Sequence, residues 1–405
     1  MAVRKTRVVV VGGSFAGLAL ALELPRAYDV VLLDPSRHLE ILPNIHELVS
    51  GHKSAADLRL DRARLLERAG HRHLHEPAVA IDPRRGVVRS ASGAELGYDS
   101  LVVGVGSAAT THGVPGAKHA MLFRNVEHCA AIGRALERLA DAGGRHPVVI
   151  VGGGLEGVEA LGEILRRYRE PARFEITLVE AGASLLPGAP VGLDREIRRR
   201  CAPYPVRILT GARVAEVGPD RVTLKSGEAV RSALTIWTGG IAPPALLAEC
   251  DLAGPGAWAP VHATLESRRH PGVFVVGDAA GCDPPLQKQA YHALDMGRHA
   301  ALSIARRAKG KPLLPFKPSG KPMLVSFGDL DTYLVAGETA FAGAALAPLK
   351  EAVYQLVMAR FDRPTRAGAL AGTLRRAGRG LREQLTASLG SVEALRRSLD
   401  LRVVR

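Results

Sequence analysis

Short, wholly apolar runs alternate along this chain with longer segments of mixed pattern, as expected where buried strands are separated by helices. Residues 8–11 are four consecutive valines, enough for one strand buried on both faces, and residues 30–33 (VVLL) repeat the pattern. Between them an apolar-rich stretch, 18–24, is closed by Pro25, which predicts a helix. The cycle returns with a strand over 148–151, a helix over 158–167 and a strand over 175–179. Three further runs, 98–107 (YDSLVVGVGS), 232–240 (SALTIWTGG) and 273–278 (VFVVGD), read as strands entering glycine turns. Past residue 310 the pattern changes. A Lys/Pro-rich connector covers 311–322, and residues 323–335 predict a β-hairpin turning at Gly328-Asp329. A helix over 348–361 places Leu349, Val353, Leu356, Val357 and Phe361 along one face.

The turns between strand and helix carry the chemistry. The first is Gly12-Gly13-Ser14-Phe15-Ala16-Gly17, and the next strand ends in Asp34. Glycines permit the tight turn and close helix packing, the helix N-terminus faces a pyrophosphate, and the acid accepts ribose hydroxyls. Ser14 replaces the usual middle glycine, so a Cβ narrows the phosphate approach while its hydroxyl can donate. The second turn, Gly152-Gly153-Gly154-Leu155-Glu156-Gly157, is a complete fingerprint, and its strand ends in Glu180. A carboxylate there accepts bonds from a free 2′-hydroxyl and repels a 2′-phosphate, favouring NADH over NADPH. Arg166, Arg167 and Arg169 are the nearest candidates for the opposite preference.

The order G-x-x-F-A-G, Y-D-x-L-V-V-G-x-G-S, G-G-G-x-x-G-V-E, T-G and V-G-D-A resembles the two-dinucleotide flavoproteins, the pyridine nucleotide-disulfide oxidoreductase superfamily. The resemblance spans residues 6–305. It implies an α/β fold with two Rossmann-like FAD/NAD(P)-binding domains, the NAD domain inserted into the FAD domain, plus a C-terminal α+β segment. The expected boundaries are 1–120 and 251–310 for FAD, 121–250 for NADH, and 311–405 for a C-terminal hairpin and basic helical membrane or dimer segment. The expected FAD contacts are Gly12, Ser14, Phe15, Ala16, Gly17, Asp34, Pro43, Gly106, Gly277, Asp278, Lys288, Gln289 and Ala290. The expected NADH contacts are Gly152, Gly154, Leu155, Glu156, Gly157, Glu180 and Gly240.

Within that superfamily, Gly157-Val158-Glu159 with Gly162-Glu163, and the stretch 285–304, are similar to the type II NADH dehydrogenases and the quinone-reducing relatives of apoptosis-inducing factor. There Lys288, Gln289 and Ala290 would open a helix facing the flavin and support its reduced, anionic form, an effect on the order of 1 kcal/mol. Glutamines usual later in that helix are missing, which bears on the quinone contact. Glu159, Lys288 and Gln289 are the candidate catalytic residues; Glu159 would touch the nicotinamide amide, relay a proton, or only pack the helix. The implied reaction is hydride transfer from NADH to FAD, then two electrons to a quinone. Alternatives are an NADH sensor resembling apoptosis-inducing factor, a ferredoxin or rubredoxin reductase, and a sulfide:quinone oxidoreductase.

The four cysteines narrow the choice. Cys129, Cys201, Cys250 and Cys282 form no C-x-x-C pair, so the thiol exchange of the disulfide reductases has no attacking and resolving sulfur. Cys201 and Cys250 are expected inside the NADH unit, which also weakens the sulfide:quinone reading. His71, His73 and His75 alternate without a carboxylate or cysteine partner, so no metal is expected. His46, after Pro43, is a candidate proton donor near the flavin or an ordinary loop histidine.

Charge adds one more feature. Lys+Arg number 54 against 40 Asp+Glu, a formal net charge of +14. From Lys350 to Arg405 there are 12 basic and 5 acidic residues, a net +7. Within 360–382, seven arginines and one aspartate interleave with Leu370, Leu374 and Leu381. That composition suits either a peripheral helix on an anionic membrane surface or a solvated arginine-rich tail. With 4% aromatics and no reading motif, nucleic acid is not an expected partner. Residues 8–22 after Arg4, Lys5 and Arg7 imitate a secretory signal, but the Gly-rich turn inside them has the better use. The expected location is cytoplasmic, peripheral on the inner face of the cell membrane.

Overall fold

The computed structural model describes residues 4–320, 322–362 and 402–404. They separate into two compact units, one from residues 4–40, 59–108 and 241–320, the other from 41–58, 109–240 and the described part of 322–404.

The first unit is built on a five-stranded parallel sheet in the order Val273–Val275, Ser100–Val103, Arg7–Val11, Asp29–Leu33, Arg72–Leu74. Val8, Val9 and Val10 are fully buried, as continuous apolar strands of a parallel sheet must be. The helix Phe15–Glu23 follows the first strand and packs against the long helix Ala290–Arg307. Their close approach requires Gly297, where a Cβ would lie 2.1 Å from the Ala16 carbonyl oxygen. A three-stranded antiparallel sheet, Ala78–Asp82, Val87–Ser90 and Glu95–Gly97, completes this unit's larger elements. These short strands carry no period long enough to read from the sequence.

The second unit repeats the parallel arrangement, in the order Ala120–Leu122, Leu234–Trp237, His146–Val151, Phe174–Val179, Val206–Leu209. Helix Val126–Asp141 begins at Asn125, whose side chain accepts from His128 N at 2.8 Å. The expected hairpin is present as Met323–Phe327 and Asp331–Ala336, extended by Thr339–Ala342 and by Arg402–Val404 into a four-stranded antiparallel sheet. The strand Met323–Phe327 lies against helix Leu155–Tyr168 at Gly162, where a Cβ would be 2.6 Å from Gly328 N. The glycine spacer after Glu159 is therefore a packing requirement of the C-terminal sheet.

The units divide the chain differently from the expected boundaries. Residues 41–58 cluster with the second unit because Ser50 and His52 meet Glu163 and Arg166, and Lys53 meets Glu351. Residues 241–250 belong to the first unit, so Cys250 lies apart from Cys201, which is in the second; its Sγ accepts from Ile81 N at 3.2 Å. The helix expected from Lys288 starts at Ala290, with Gln289 as its extended cap residue. Helix Ala347–Phe361 forms as expected, but Leu349, Val353 and Leu356 are exposed while Glu351, Tyr354 and Phe361 are buried. The basic stretch with Leu370, Leu374 and Leu381 lies outside the described residues.

Candidate functional site

In the first unit the strand Arg7–Val11 delivers the chain into a turn that only glycine can make at two places. Gly12 has φ +94°, and a Cβ at Gly17 would lie 1.9 Å from the Gly12 carbonyl oxygen. Ser14 caps the following helix in an extended conformation without using its hydroxyl on the helix, while Phe15 and Ala16 are buried in the first turn. Asp34 reaches back under the turn: Oδ2 accepts Gly13 N at 2.6 Å and Oδ1 accepts Ser36 N at 2.8 Å. The carboxyl ends of two neighbouring strands complete this edge. Gly106 has φ +67° with open space where a Cβ would stand, and Gly277 has φ +68°. Ser107 Oγ donates to Asp278 Oδ2 at 3.0 Å.

A cleft in the same unit is lined by Asp278, Cys282, Gln287, Lys288, Gln289 and His292. The Lys288 ammonium donates to the Ala280 carbonyl at 2.7 Å and lies 4.4 Å from the Trp258 ring centroid. Burial lowers its pKa, and Asp278 and Cys282 oppose that. Burial raises the Cys282 thiol, so this lone cysteine is not a poised thiolate. Ala290 opens the helix beside it.

The second unit repeats the first turn with one more glycine. Gly152 has φ +110°, and a Cβ at Gly157 would lie 1.8 Å from the Gly152 oxygen. Thr238 Oγ1 donates to the Val151 and Gly152 oxygens, each at 3.0 Å. Gly154 has nothing within 4 Å of a Cβ position, which leaves the helix N-terminus open to a phosphate, with Leu155 and Glu156 in the first turn. Glu180 Oε2 accepts Gly153 N and Oε1 accepts Gly182 N, both at 2.6 Å. The three arginines considered for a 2′-phosphate are engaged elsewhere: Arg166 with Glu163, Arg167 with Glu137, and Arg169 with Asp329. Gly240, φ +103°, packs where a Cβ would meet His112 Nε2 at 2.6 Å. Pro43 lies in the short turn Leu42–Asn44 of this second unit.

Two candidates of unequal promise in the sequence, Glu159 and His46, turn out to be neighbours. Glu159 is 5% exposed, on helix Leu155–Tyr168. It ion-pairs with Lys350 and accepts Ser326 N at 3.1 Å. His46 Nδ1 lies 3.3 Å from Glu159 Oε2, and its Nε2 is 3.4 Å from Lys350 Nζ. Burial raises the Glu159 carboxyl's pKa against the pull of Lys350. Burial and Lys350 push His46 well below its usual range, so the imidazole is neutral. Glu163, one turn on, bonds Ser50 and Arg166 and is pushed up by burial to about 7. Lys350 carries no local signal that would have singled it out, since its partners lie 191 and 304 positions away.

The residues present fit both nucleotides. Each turn has glycines where a Cβ would collide, a helix N-terminus, and a strand-end acid bonded to the turn's second glycine. All four cysteines are free, and His71, His73 and His75 belong to no group that could hold a metal among the described residues. No helix among them is long and apolar enough to cross a membrane.

Comparison with known proteins agrees with this geometry. Residues 6–297 match the pyridine nucleotide-disulphide oxidoreductase family. An NADH dehydrogenase-like protein of Mycobacterium tuberculosis is 28% identical over 335 residues, 77% of this chain and 83% of that protein. The type II NADH:quinone oxidoreductase NdhA of the same organism is 26% identical over 382 residues, 83% of this chain and 80% of its own. The fold of NDH2 from Plasmodium falciparum, solved in complex with NADH, superposes with a TM-score of 0.81, covering 95% of this chain and 99% of that one at 15% identity. The chain belongs to the pyridine nucleotide-disulphide oxidoreductase family.

Proposed function

We propose that this protein is an FAD-dependent NADH:quinone oxidoreductase. The observation that carries the reading is the pair of glycine turns, each with its own strand-end acid, in a chain whose cysteines are all free. Two such turns suit two dinucleotides, and unpaired thiols leave a small electron acceptor in place of a disulfide. The type II NADH:quinone oxidoreductase among the relatives points to quinone.

The first unit holds FAD, with the pyrophosphate at Gly12–Gly17, the adenosine ribose at Asp34 and the ribityl side at Gly106, Gly277 and Asp278. The second holds NADH at Gly152–Gly157, with Glu180 on the ribose and Gly240 at the facing strand end. When bound, FAD would supply the redox chemistry that carries two electrons from NADH to the acceptor. The chain's own residues position these groups and supply charge. Lys288 places a cation beside the cleft, Gln289 and Ala290 open the helix whose amides face it, and Pro43 shapes the loop that carries His46. Glu159, paired with Lys350, is the carboxylate proposed to relay a proton. NADH is preferred because Glu180 has no cationic partner among the described residues to receive a 2′-phosphate.

The test is stopped-flow reduction by NADH, with sulfide as an alternative reductant, followed by a panel of acceptors: a short-chain ubiquinone, a naphthoquinone and ferredoxin. Prompt reoxidation by quinone is expected. A flavin that sulfide reduces and NADH does not, that only ferredoxin reoxidises, or that stays reduced with all three acceptors, overturns the reading.

Peripheral membrane docking is favoured by the exposed stripe Leu349, Val353 and Leu356, 43%, 44% and 70% exposed, on the helix that opens the segment of net +7. Co-sedimentation with anionic but not zwitterionic vesicles, weakened by salt and by Leu356→Asp, is expected. A stripe that instead joins two copies would give a dimer by ultracentrifugation and no vesicle binding.

A further inference from the structure

We propose that Arg62 is the positioning residue of the FAD adenosine seat, locking Asp34 and the glycine turn into one pre-formed receptor. The inference rests on the reading that Asp34 takes the adenosine ribose of FAD.

Arg62 stands at the first position of helix Arg62–Ala69, whose cap Asp61 accepts Arg64 N at 3.0 Å. Its backbone N–H donates to the Arg37 carbonyl at 3.1 Å, so the side chain starts from a fixed point. Arg62 is 2% exposed, and every nitrogen of its guanidinium is used. Nε donates to the Gly13 carbonyl at 2.8 Å, and one terminal nitrogen donates to the His38 carbonyl at 2.9 Å. The other donates to the Ser36 carbonyl and lies 2.9 Å from Asp34 Oδ1. One buried fork thus joins the glycine turn, the loop after the second strand and the ribose acid. Lysine, a point charge, cannot reach three carbonyls and a carboxylate together.

The arrangement explains Gly13, for which the dinucleotide pattern has no requirement. A Cβ there would lie 2.6 Å from Arg62 Nε and 2.6 Å from Leu32 Cδ2. It also sets what Asp34 has left to offer. A carboxylate has about four acceptor positions. Gly13 N, Ser36 N and Arg62 take three, leaving one on Oδ2, oriented before the nucleotide arrives. Glu180 is built differently. Its two bonds come from Gly153 N and Gly182 N, and the space beneath Gly153 is filled by Leu185 and the stem of Glu180, with no arginine. The two acids that look equivalent in the sequence thus differ: Asp34 is paired with a buried cation, and Glu180 has no ion-pair partner among the described residues.

A cycle between Arg62 and the ribose tests this. Full-length protein stripped of flavin is titrated with FAD and with its 2′,3′-dideoxyadenosine analogue, for wild type, Arg62→Met and Arg62→Lys. Wild type is expected to bind the analogue about tenfold or more weakly, reflecting a hydrogen bond to a charged acceptor. In Arg62→Met, FAD binding weakens about 10–100-fold and the gap between the two ligands closes to within about twofold. Arg62→Lys closes it in part. NADH affinity, read on the same samples, is expected to stay within about twofold of wild type. A gap that persists undiminished in Arg62→Met shows that Arg62 does not act through the ribose seat, and overturns the inference. Should Arg62→Met fail to accumulate, the same comparison in Arg62→Lys decides it. Wild type binding both ligands equally defeats the underlying placement of the ribose at Asp34.

Discussion

The ammonium of Lys53 lies 2.7 Å from the carboxylate of Glu351, a residue 298 positions further along the chain. Glu47 is 2.9 Å from the same nitrogen, and the Tyr354 ring centroid is 4.6 Å away. Burial works to raise the Glu47 carboxyl, but Lys53, His46 and His52 outweigh it and hold it down at about 2. Together with Lys350 and Glu159, these charges fasten the inward face of helix Ala347–Phe361 to the second unit. That helix is held by its ionic face, which is why its apolar stripe points outward.

Removing the cation leaves two buried carboxylates facing each other. Lys53→Met is expected to destabilise the protein by about 3–5 kcal/mol. Adding Glu351→Gln should recover part of the loss, because one stranded charge goes with it. Chemical denaturation of the single and double variants checks this, and a single variant within 1 kcal/mol of wild type refutes it.

Gly162→Ala places a methyl 2.6 Å from Gly328 N, on the backbone of the hairpin turn. Overpacking of this kind costs about 1–3 kcal/mol. Thermal unfolding should show the loss, and limited proteolysis should show earlier cleavage near Gly328. Unchanged melting and cleavage would mean the hairpin does not rest on this helix.

Glu163 gives a pH dependence with a definite sign. Its folded pKa of about 7 lies above the ordinary 4.5, raised by burial against Arg166, with Glu47 adding to the rise and Ser50 opposing it. Its stabilising contribution is therefore full below pH 4.5 and lost as pH climbs through 7, on the order of 3 kcal/mol at 1.36 kcal/mol per unit. His52 acts oppositely: burial and Arg166 lower it to about 4, so its contribution is present above 6.5 and lost as pH falls toward 4. Glu163→Gln removes only the first slope. The melting temperature of Glu163→Gln relative to wild type should rise between pH 5 and pH 8. A difference that does not change across that range disproves the assignment.

Glu180→Ala removes the acceptor that distinguishes the two nicotinamide nucleotides. The dissociation constant for NADH should rise about 10–100-fold, as for hydrogen bonds to charged groups, while that for NADPH changes less. Flavin bleaching at varied nucleotide concentration measures both. An unchanged ratio would place specificity elsewhere.

Both strand–turn–helix cycles were legible because a run of four β-branched residues, a glycine turn and a terminal acid are local signals, and in the structure Asp34 and Glu180 each bond the glycine turn. What could not be read were relationships between distant segments. Nothing local marks residues 41–58 for the second unit; that follows from Ser50, His52 and Lys53 finding partners on two later helices. The pairing of Thr339–Ala342 with Arg402–Val404 is likewise invisible across the intervening basic stretch. The helix Ala347–Phe361 was read with Leu349, Val353, Leu356 and Phe361 on one face, yet Phe361 is buried while the other three are exposed, because periodicity says nothing of which positions a neighbouring element covers.

In both units the second glycine's amide is already bonded to the acid at 2.6 Å, Gly13 to Asp34 and Gly153 to Glu180. Each receptor is assembled by the chain itself, so docking a dinucleotide need not order the turn, and little conformational entropy is spent there. These two amides should exchange with solvent slowly even in nucleotide-free protein. Binding should leave their protection almost unchanged, while amides that point into the open helix N-termini become protected only when a pyrophosphate arrives.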